Sequence, residues 1–305
     1  MLSARTPLAP FVSPPELSRM RTTRLLSSVT LIAIATGCTG GAPATSTGPT
    51  VVPTPVVTDT AAPSVVREMR GLRVATVANI DWPSRTGLTA EQQRAELTRI
   101  LDRASSAGFN AIVLQVRPAA NAVYASSLEP WAELLSGTQG IDPGYDPLAF
   151  AVAEAHARGL ELHAWINPFR AGNAKDTTKL ASTLFNTQRA LTRLYGTHLW
   201  VDPGEAAVQD HVMRVVRDIV LRYDIDAIHA DDYFYPYQEN DAAGTLIAFP
   251  NSATYARSGT TLSRDDWRRA NVDTFIERLY REVHAIKPTI KGASRHSASG
   301  GRPIR

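Results

Sequence analysis

The sequence predicts an α/β fold assembled from repeated β-α units, and three observations carry that reading. From Arg67 onward, apolar β-rich runs alternate with stretches of helical periodicity. Each run begins apolar and ends polar. Residues two apart in a strand share a face, and on that parity the polar residues of each run fall together.

Four units follow in order. The first pairs "LRVATVANIDW" (72–82) with a helix opened by Thr89, whose Gln92 completes a capping box, and stopped near Gly108. The second runs from "NAIVLQVRP" (110–118) to a helix started by Asp146-Pro147, where the missing proline N–H costs nothing, and ended by Gly159. The third is "LELHAWINP" (160–168), a loop of roughly 34 residues, and a helix from Asp202-Pro203 to about Tyr223. The fourth is "DAIHADDYF" (226–234), followed by a helix from about Ser263 to Ile286, closed by Pro288. Polar strand ends are where both a β/α barrel and a doubly wound sheet bind ligands, so both architectures fit.

Parity pairs Asn79 with Asp81, Gln115 with Arg117, His163 with Trp165 and Asn167, and His229 with Asp231. Burying so many polar groups without use is costly, so these faces are expected to line a ligand-binding mouth. Asp232 starts on the opposite side or turns into the loop. The stretch "IHADDYFYPY" (228–237) then sets aromatic rings behind two carboxylates. That combination suits a sugar, whose C–H faces lie on π surfaces while its hydroxyls bond to Asp, Asn, Arg and His. Trp82, Trp165, Tyr233 and Tyr235 are the candidate platforms, and each is equally a core residue; His163 and His229 carry the same ambiguity. Arg117 ends an apolar run and needs an anionic partner if buried. It orients Asp231, holds a substrate group, or forms a structural salt bridge at the strand ends.

Other chemistries find less support. A zinc-dependent polysaccharide deacetylase would draw on Asp231, Asp232 and the two histidines, but no His-x-x-x-His or His-x-His occurs. Neither a Gly-rich phosphate loop nor a Gly-x-Ser-x-Gly elbow is present, which argues against nucleotide-dependent and serine-hydrolase chemistry. No metal and no cofactor are expected. The pI of about 9.1 reflects basic ends: residues 38–290 carry 24 basic and 28 acidic side chains, so no nucleic-acid footprint is read.

The single cysteine, Cys38, closes "MRTTRLLSSVTLIAIATGC", with a basic start, an apolar run from Leu25 to Ala35, and small residues before the thiol. This resembles a bacterial lipoprotein signal, with Cys38 as the lipidated first residue of the mature chain; if Met20 is the start, residues 1–19 are an upstream misreading. The next stretch, about 26 residues rich in Thr, Pro, Ala, Gly and Ser, reads as a disordered tether. The expected layout is a signal region (1–37), a lipidated cysteine and linker (38–66), a folded domain (67–290) and a tail (291–305), held outside the cytoplasm on a bacterial membrane.

The segments "RGLRVATVANIDWPS", "FNAIVLQVRPAANAVYASSLEPW", "GTQGIDPGYDPLAFAVAEAHARGLELHAWINPFRA" and "IDAIHADDYFYPY" are similar to the glycosyl-hydrolase-like 10 family of bacterial envelope proteins, from about Glu68 to Ile290. The resemblance implies a (β/α)8 TIM barrel of glycosidase type and hydrolysis of peptidoglycan glycan strands stripped of their peptides. It implies Asp231 and Asp232 as the acidic centre, with Gln115, Arg117, His163, Asn167, His229 and Tyr233 lining the cleft. Ala227 stands where the family has glycine. Two carboxyl groups normally flank a scissile glycosidic bond; Asp231 is expected as nucleophile or charge stabiliser, and the acid is Asp232, Asp81 or a carboxylate of a later strand.

Only the first four of eight β/α units are expected here, because "KGASRHSASGGRPIR" (291–305) shows no strand pattern where a fifth strand belongs. A change of reading frame near codon 291 is the expected origin of that tail. A half barrel exposes two strand edges, so the alternative to a glycosidase is a lipoprotein that binds glycan without cutting it.

Overall fold

A computed structural model describes residues 68–173, 191–231 and 234–294. The signal region, Cys38 and the linker lie outside the described residues, as do Asp232 and Tyr233.

Five parallel strands form one sheet in the order β1-β2-β3-β7-β8: β1 Gly71–Val74, β2 Ala111–Arg117, β3 Glu161–Ile166, β7 Ala227–Ala230 and β8 Lys291–Ser294. The order follows the chain with no reversal, and a helix crosses between each successive pair. These crossovers are α1 (Ala90–Ser106), α3 (Pro147–His156), α4 (Ala206–Arg222) and α6 (Arg264–Ile286). Short helices α2 (Glu133–Ser136) and α5 (Ser252–Ser258) sit in the connections.

The helix starts follow the sequence signals. Thr89 and Gln92 form the expected capping box on α1. Asp146 accepts from the N–H groups of Leu148 and Ala149, with Pro147 opening α3. Ser263 caps α6 through the Asp266 N–H. The third crossover differs: Asp202 Oδ1 takes the Gly204 N–H in a tight turn, and α4 begins only at Ala206.

Period-two alternation divides the sheet. Ile112, Leu114 and Val116 of β2, Leu162, Ala164 and Ile166 of β3, and Ile228 and Ala230 of β7 join one apolar core with Leu97 and Leu101 of α1, Leu148 and Ala151 of α3, Val212, Val216 and Ile219 of α4, and Phe275 and Leu279 of α6. Each fully buried side chain of this size stabilises by about 1.5–3 kcal/mol. The opposite face carries Arg73, Gln115, Glu161, His163, Trp165, His229 and Lys291; a bulge between Gln115 and Arg117 sets Arg117 beside Ile166, so it does not share the Gln115 face as the parity predicts.

Three expectations are corrected. The first strand is only four residues long; beyond it, residues 77–79 form a 3-10 turn with Ala78 and Asn79 at positive φ, so Asn79 and Asp81 are not on a strand face. Local hydrogen bonds to Ala75 and Asp81 pull the backbone out of the extended form. The long third connection is not structureless: β4 (Arg170–Asn173), β5 (Thr192–Tyr195) and β6 (His198–Val201) make an antiparallel sheet in the order β4-β6-β5. Finally, the segment expected to lack strand structure opens with β8, paired parallel to β7 from Ala227↔Lys291 to Ala230↔Ser294. Backbone pairing to a neighbour needs no side-chain alternation, so a Lys-Gly-Ala-Ser stretch joins the sheet without a pattern to announce it. Among the described residues there are five parallel strands rather than four; residues 295–305 lie outside them.

Phe275 is fully buried and packs edge-on against Phe169 at 5.0 Å. Phe275→Ala is expected to cost about 3–5 kcal/mol in urea unfolding, whereas Leu221→Ala, at an exposed position on α4, should stay within about 0.5 kcal/mol.

Candidate active site

The polar face is concave. Arg73 of β1 forms an ion pair with Asp231, the residue after β7, although β2 and β3 stand between them. Three strand steps on a flat sheet span roughly 14 Å, beyond the reach of one arginine, so the sheet must curve inward on this side. On the way the Arg73 guanidinium lies 3.9 Å from the centre of the Trp165 ring, a cation–π contact. The Asp231 N–H donates to the Ile166 carbonyl at 3.1 Å, which extends β7's pairing by one residue and fixes the carboxylate at the strand end.

Below Asp231, two histidines meet. His163 Nδ1 is 2.9 Å from His229 Nε2, and His163 Nε2 is 2.9 Å from Glu161 Oε2. Lys291 of β8 donates to the other Glu161 oxygen at 2.5 Å. Burial pushes the Glu161 carboxyl up, but hydrogen bonds from Lys291 and His163 outweigh it and hold the group below its ordinary value. His229 is also lowered, which for a base favours the neutral form. Burial, then the neighbouring His163 and Arg73, bring its imidazole down to about 4, against the opposing pull of Asp231.

Arg117 takes the structural role among those expected. It is fully buried and forks onto Glu129, Nε to Oε2 at 2.8 Å and Nη2 to Oε1 at 2.6 Å. Its Nη1 donates to the carbonyls of Asn167 at 2.5 Å and Pro168 at 3.1 Å. His211 of α4 completes the cluster at 2.9 Å from Glu129. Burial raises the Glu129 carboxyl, but the Arg117 charge and the hydrogen bonds of His211 and Arg117 prevail and pull it to about 2. Arg117 therefore ties the loop after β3 to the loop after β2, with Glu129 rather than Asp231 as its partner.

The remaining predicted residues divide. Asn167 is fully buried: it accepts from the Trp165 indole N–H at 2.8 Å and donates to Pro118 O at 3.0 Å, so it fixes the Trp165 ring. Gln115 accepts the N–H groups of Thr76 and Val77 at 2.9 and 2.8 Å, tying down the turn after β1, and its Nε2 is buried without a hydrogen-bond partner. Trp82 is core, fully buried, with its indole N–H on Gln93 O at 2.9 Å; it offers no sugar platform. Asn79 donates to the carbonyls of Pro83 and Leu134. Asp81 accepts from the Ala75 N–H at 2.8 Å. Tyr235 stands edge-on to Phe249 and receives a hydrogen bond from Asn271, in a second aromatic cluster; burial raises its phenol.

Sequence reasoning missed Arg73, Glu161, Lys291, Glu129 and His211. Glu161 was legible, since it shares parity with His163 and Trp165. Glu129 and His211 carried no signal: one lies in a loop and the other on the apolar stripe of α4. Among the described residues no group of three His, Cys, Asp or Glu is placed to hold a metal ion.

The sequence profile of the family described as glycosyl hydrolase-like 10 matches residues 68–295. Glycosyl hydrolase YngK of Bacillus subtilis (strain 168) is 42% identical over 229 residues, which cover 74% of this chain and 44% of that protein. Glycosyl hydrolase DigH of Escherichia coli (strain K12) is 35% identical over 242 residues, covering 73% of this chain and 54% of its own. The chain thus spans about half the length of the curated relatives it matches. Among solved structures, alpha-L-fucosidase isoenzyme 2 from Paenibacillus thiaminolyticus aligns at a TM-score of 0.48 and 14% identity, over 75% of this chain and 32% of that one.

Acid should weaken the fold in two windows. The His229 contribution is fully present above its ordinary value of 6.5 and is lost as pH falls toward about 4. The Glu129 contribution is present above 4.5 and is lost as pH falls toward about 2. Urea unfolding at stepped pH should show stability declining from about pH 6.5 downward. Glu129→Gln, which leaves a buried guanidinium uncompensated, should cost about 3–5 kcal/mol at pH 7 and flatten the part of the decline below pH 4.5.

Proposed function

The chain belongs to the glycosyl hydrolase-like 10 family, and from that premise we propose that its concave polar face binds and hydrolyses a polysaccharide of the bacterial cell envelope, with peptide-free peptidoglycan glycan strands as the substrate. In this reading the parallel sheet forms part of a (β/α)8 barrel, and strand C-termini with the loops beyond them make the cleft. The observation that carries the proposal is Asp231: a carboxylate at the end of β7, on the polar face, beside an indole and an imidazole.

The chemistry follows from the placement. A glycosidic bond breaks through an oxocarbenium-like transition state, and a carboxylate below the anomeric carbon stabilises that charge or bonds to it covalently. Asp231 takes this role. Trp165, its ring fixed by Asn167, offers a surface for a sugar's C–H face once Arg73 moves aside. His229, a half-buried imidazole kept neutral at physiological pH, hydrogen-bonds a substrate hydroxyl. The proton for the leaving oxygen comes from a second carboxyl group, for which Asp232 and Asp81 are the candidates; Asp81 stays in contention through the oxygen that its Ala75 bond does not use. The signal-like stretch ending at Cys38 supports a lipid-anchored location outside the cytoplasm.

One observation favours a second reading, glycan binding without turnover. Arg73 neutralises Asp231 and covers Trp165, an arrangement that serves recognition more directly than nucleophilic attack.

Reducing-end release from peptide-free glycan strands separates the two. Asp231→Asn should lower turnover by about 10⁴-fold or more with the unfolding midpoint little changed, and Trp165→Ala should weaken glycan binding by about 0.5–1.5 kcal/mol. Saturable binding with no turnover in either the parent chain or Asp231→Asn would establish the second reading.

A further inference from the structure

Between Lys291 and Asp231, four side chains from three strands form a continuous polar line across the inner face: Lys291 of β8, Glu161 and His163 of β3, and His229 of β7. We propose that Glu161 and His163 are positioning residues that fix the proton of His229 on Nε2 and leave its Nδ1 as a bare acceptor for a sugar hydroxyl donated beside Asp231. The acceptor role rests on the glycan-cleft reading above; the tautomer does not.

Donor and acceptor matching along the line leaves one neutral arrangement. An ionised carboxylate only accepts. Glu161 is held ionised by Lys291 on one oxygen, so the 2.9 Å contact on the other must be a donation from His163 Nε2–H. A neutral imidazole carries one proton, so His163 then has a lone pair on Nδ1. The 2.9 Å contact to His229 is therefore a donation from His229 Nε2–H into that lone pair. With its own single proton committed, neutral His229 has an unprotonated Nδ1, and no described residue hydrogen-bonds to that atom. The chain has one neutral solution, and Glu161 dictates it from two residues away.

The surrounding charges favour that solution. The alternative, an imidazolium at His163, would reverse the line and place a proton on His229 Nδ1. It would set a third cation among Arg73 of β1 and Lys291 of β8, with Glu161 already engaged by Lys291 and Asp231 by Arg73. The two rings lie edge to edge and nearly coplanar, with centroids 5.0 Å apart and planes 29° apart, the geometry of an in-plane N–H···N bond. His163 is 1% exposed while His229 is only partly buried, so the line runs from a sealed member to one that solvent reaches. Trp165 and Asp231 flank that end, on the same strand faces.

Nitrogen-15 NMR of the imidazoles in the full chain at pH 7 reads the tautomer directly, without substrate. The expected spectrum shows His229 Nε2 as pyrrole-like and Nδ1 as pyridine-like, with the same assignment at His163. Glu161→Gln supplies an amide that donates as readily as it accepts, so both rings should move to averaged, mixed-tautomer shifts, whereas Glu161→Asp should retain the single tautomer. A protonated His229 Nδ1 in the parent chain overturns the proposal, and so does a spectrum unmoved by Glu161→Gln. Titration with a peptide-free glycan oligosaccharide then tests the acceptor: its binding should shift His229 Nδ1 and weaken several-fold in Glu161→Gln. The predicted tautomer with no glycan response at His229 removes the hydroxyl acceptor and the cleft reading beneath it, leaving the tautomer line standing.

Discussion

The structure depends on the two-residue alternation of a parallel sheet held in register. Because Ile112, Leu162 and Ile228 stand side by side on one face, the crossover helices have a single apolar surface on which to pack. Because the alternate residues stand together on the other, His163 meets His229 and Arg73 reaches Asp231. A one-residue slip of β3 would send His163 and Trp165 into the helix layer and Leu162 and Ala164 into the cleft. Core and site are thus two readings of one register, and neither can be moved without the other.

A buried charge cluster secures the sheet where β2 and β3 end. Arg117 contributes nothing to the cleft surface, yet it holds two carbonyls of the loop after β3, and those precede β4 and follow Trp165. A lone buried guanidinium would be prohibitive. Glu129 from the preceding connection and His211 from α4 satisfy it, so three separate segments are bound to one point. The alignment of Trp165 through Asn167 follows from this anchoring. The Trp165 ring is thus held by residues that are themselves buried.

Much of this was legible in the chain. Caps at Thr89, Asp146 and Ser263 have local causes, a side chain beside the N–H it satisfies, and they appear where their spacing places them. The polar parity of β3 and β7 also survives, since burial on one face selects residue types two apart, whereas a bulge between Gln115 and Arg117 breaks it in β2. Asn79, Asp81 and Trp82 did not follow, because turn hydrogen bonds ended β1 after four residues and a pattern of alternation says nothing about where a strand stops. The partner of Arg117 was hidden for another reason. Glu129 is paired by tertiary approach, and His211 looks like one more residue on the buried stripe of an amphipathic helix. Strand β8 was invisible because its pairing is made by backbone alone.

In the proposed function, the concave polar face with Asp231, Trp165 and His229 on it receives the glycan. Amide and indole resonances of the full chain, followed during titration with peptide-free glycan oligosaccharides, test it most directly. The Trp165 indole and the backbone around Asp231 should shift together and saturate together, while the sealed Trp82 indole stays fixed. Saturable binding that moves resonances elsewhere and leaves Trp165 and Asp231 unperturbed would contradict it.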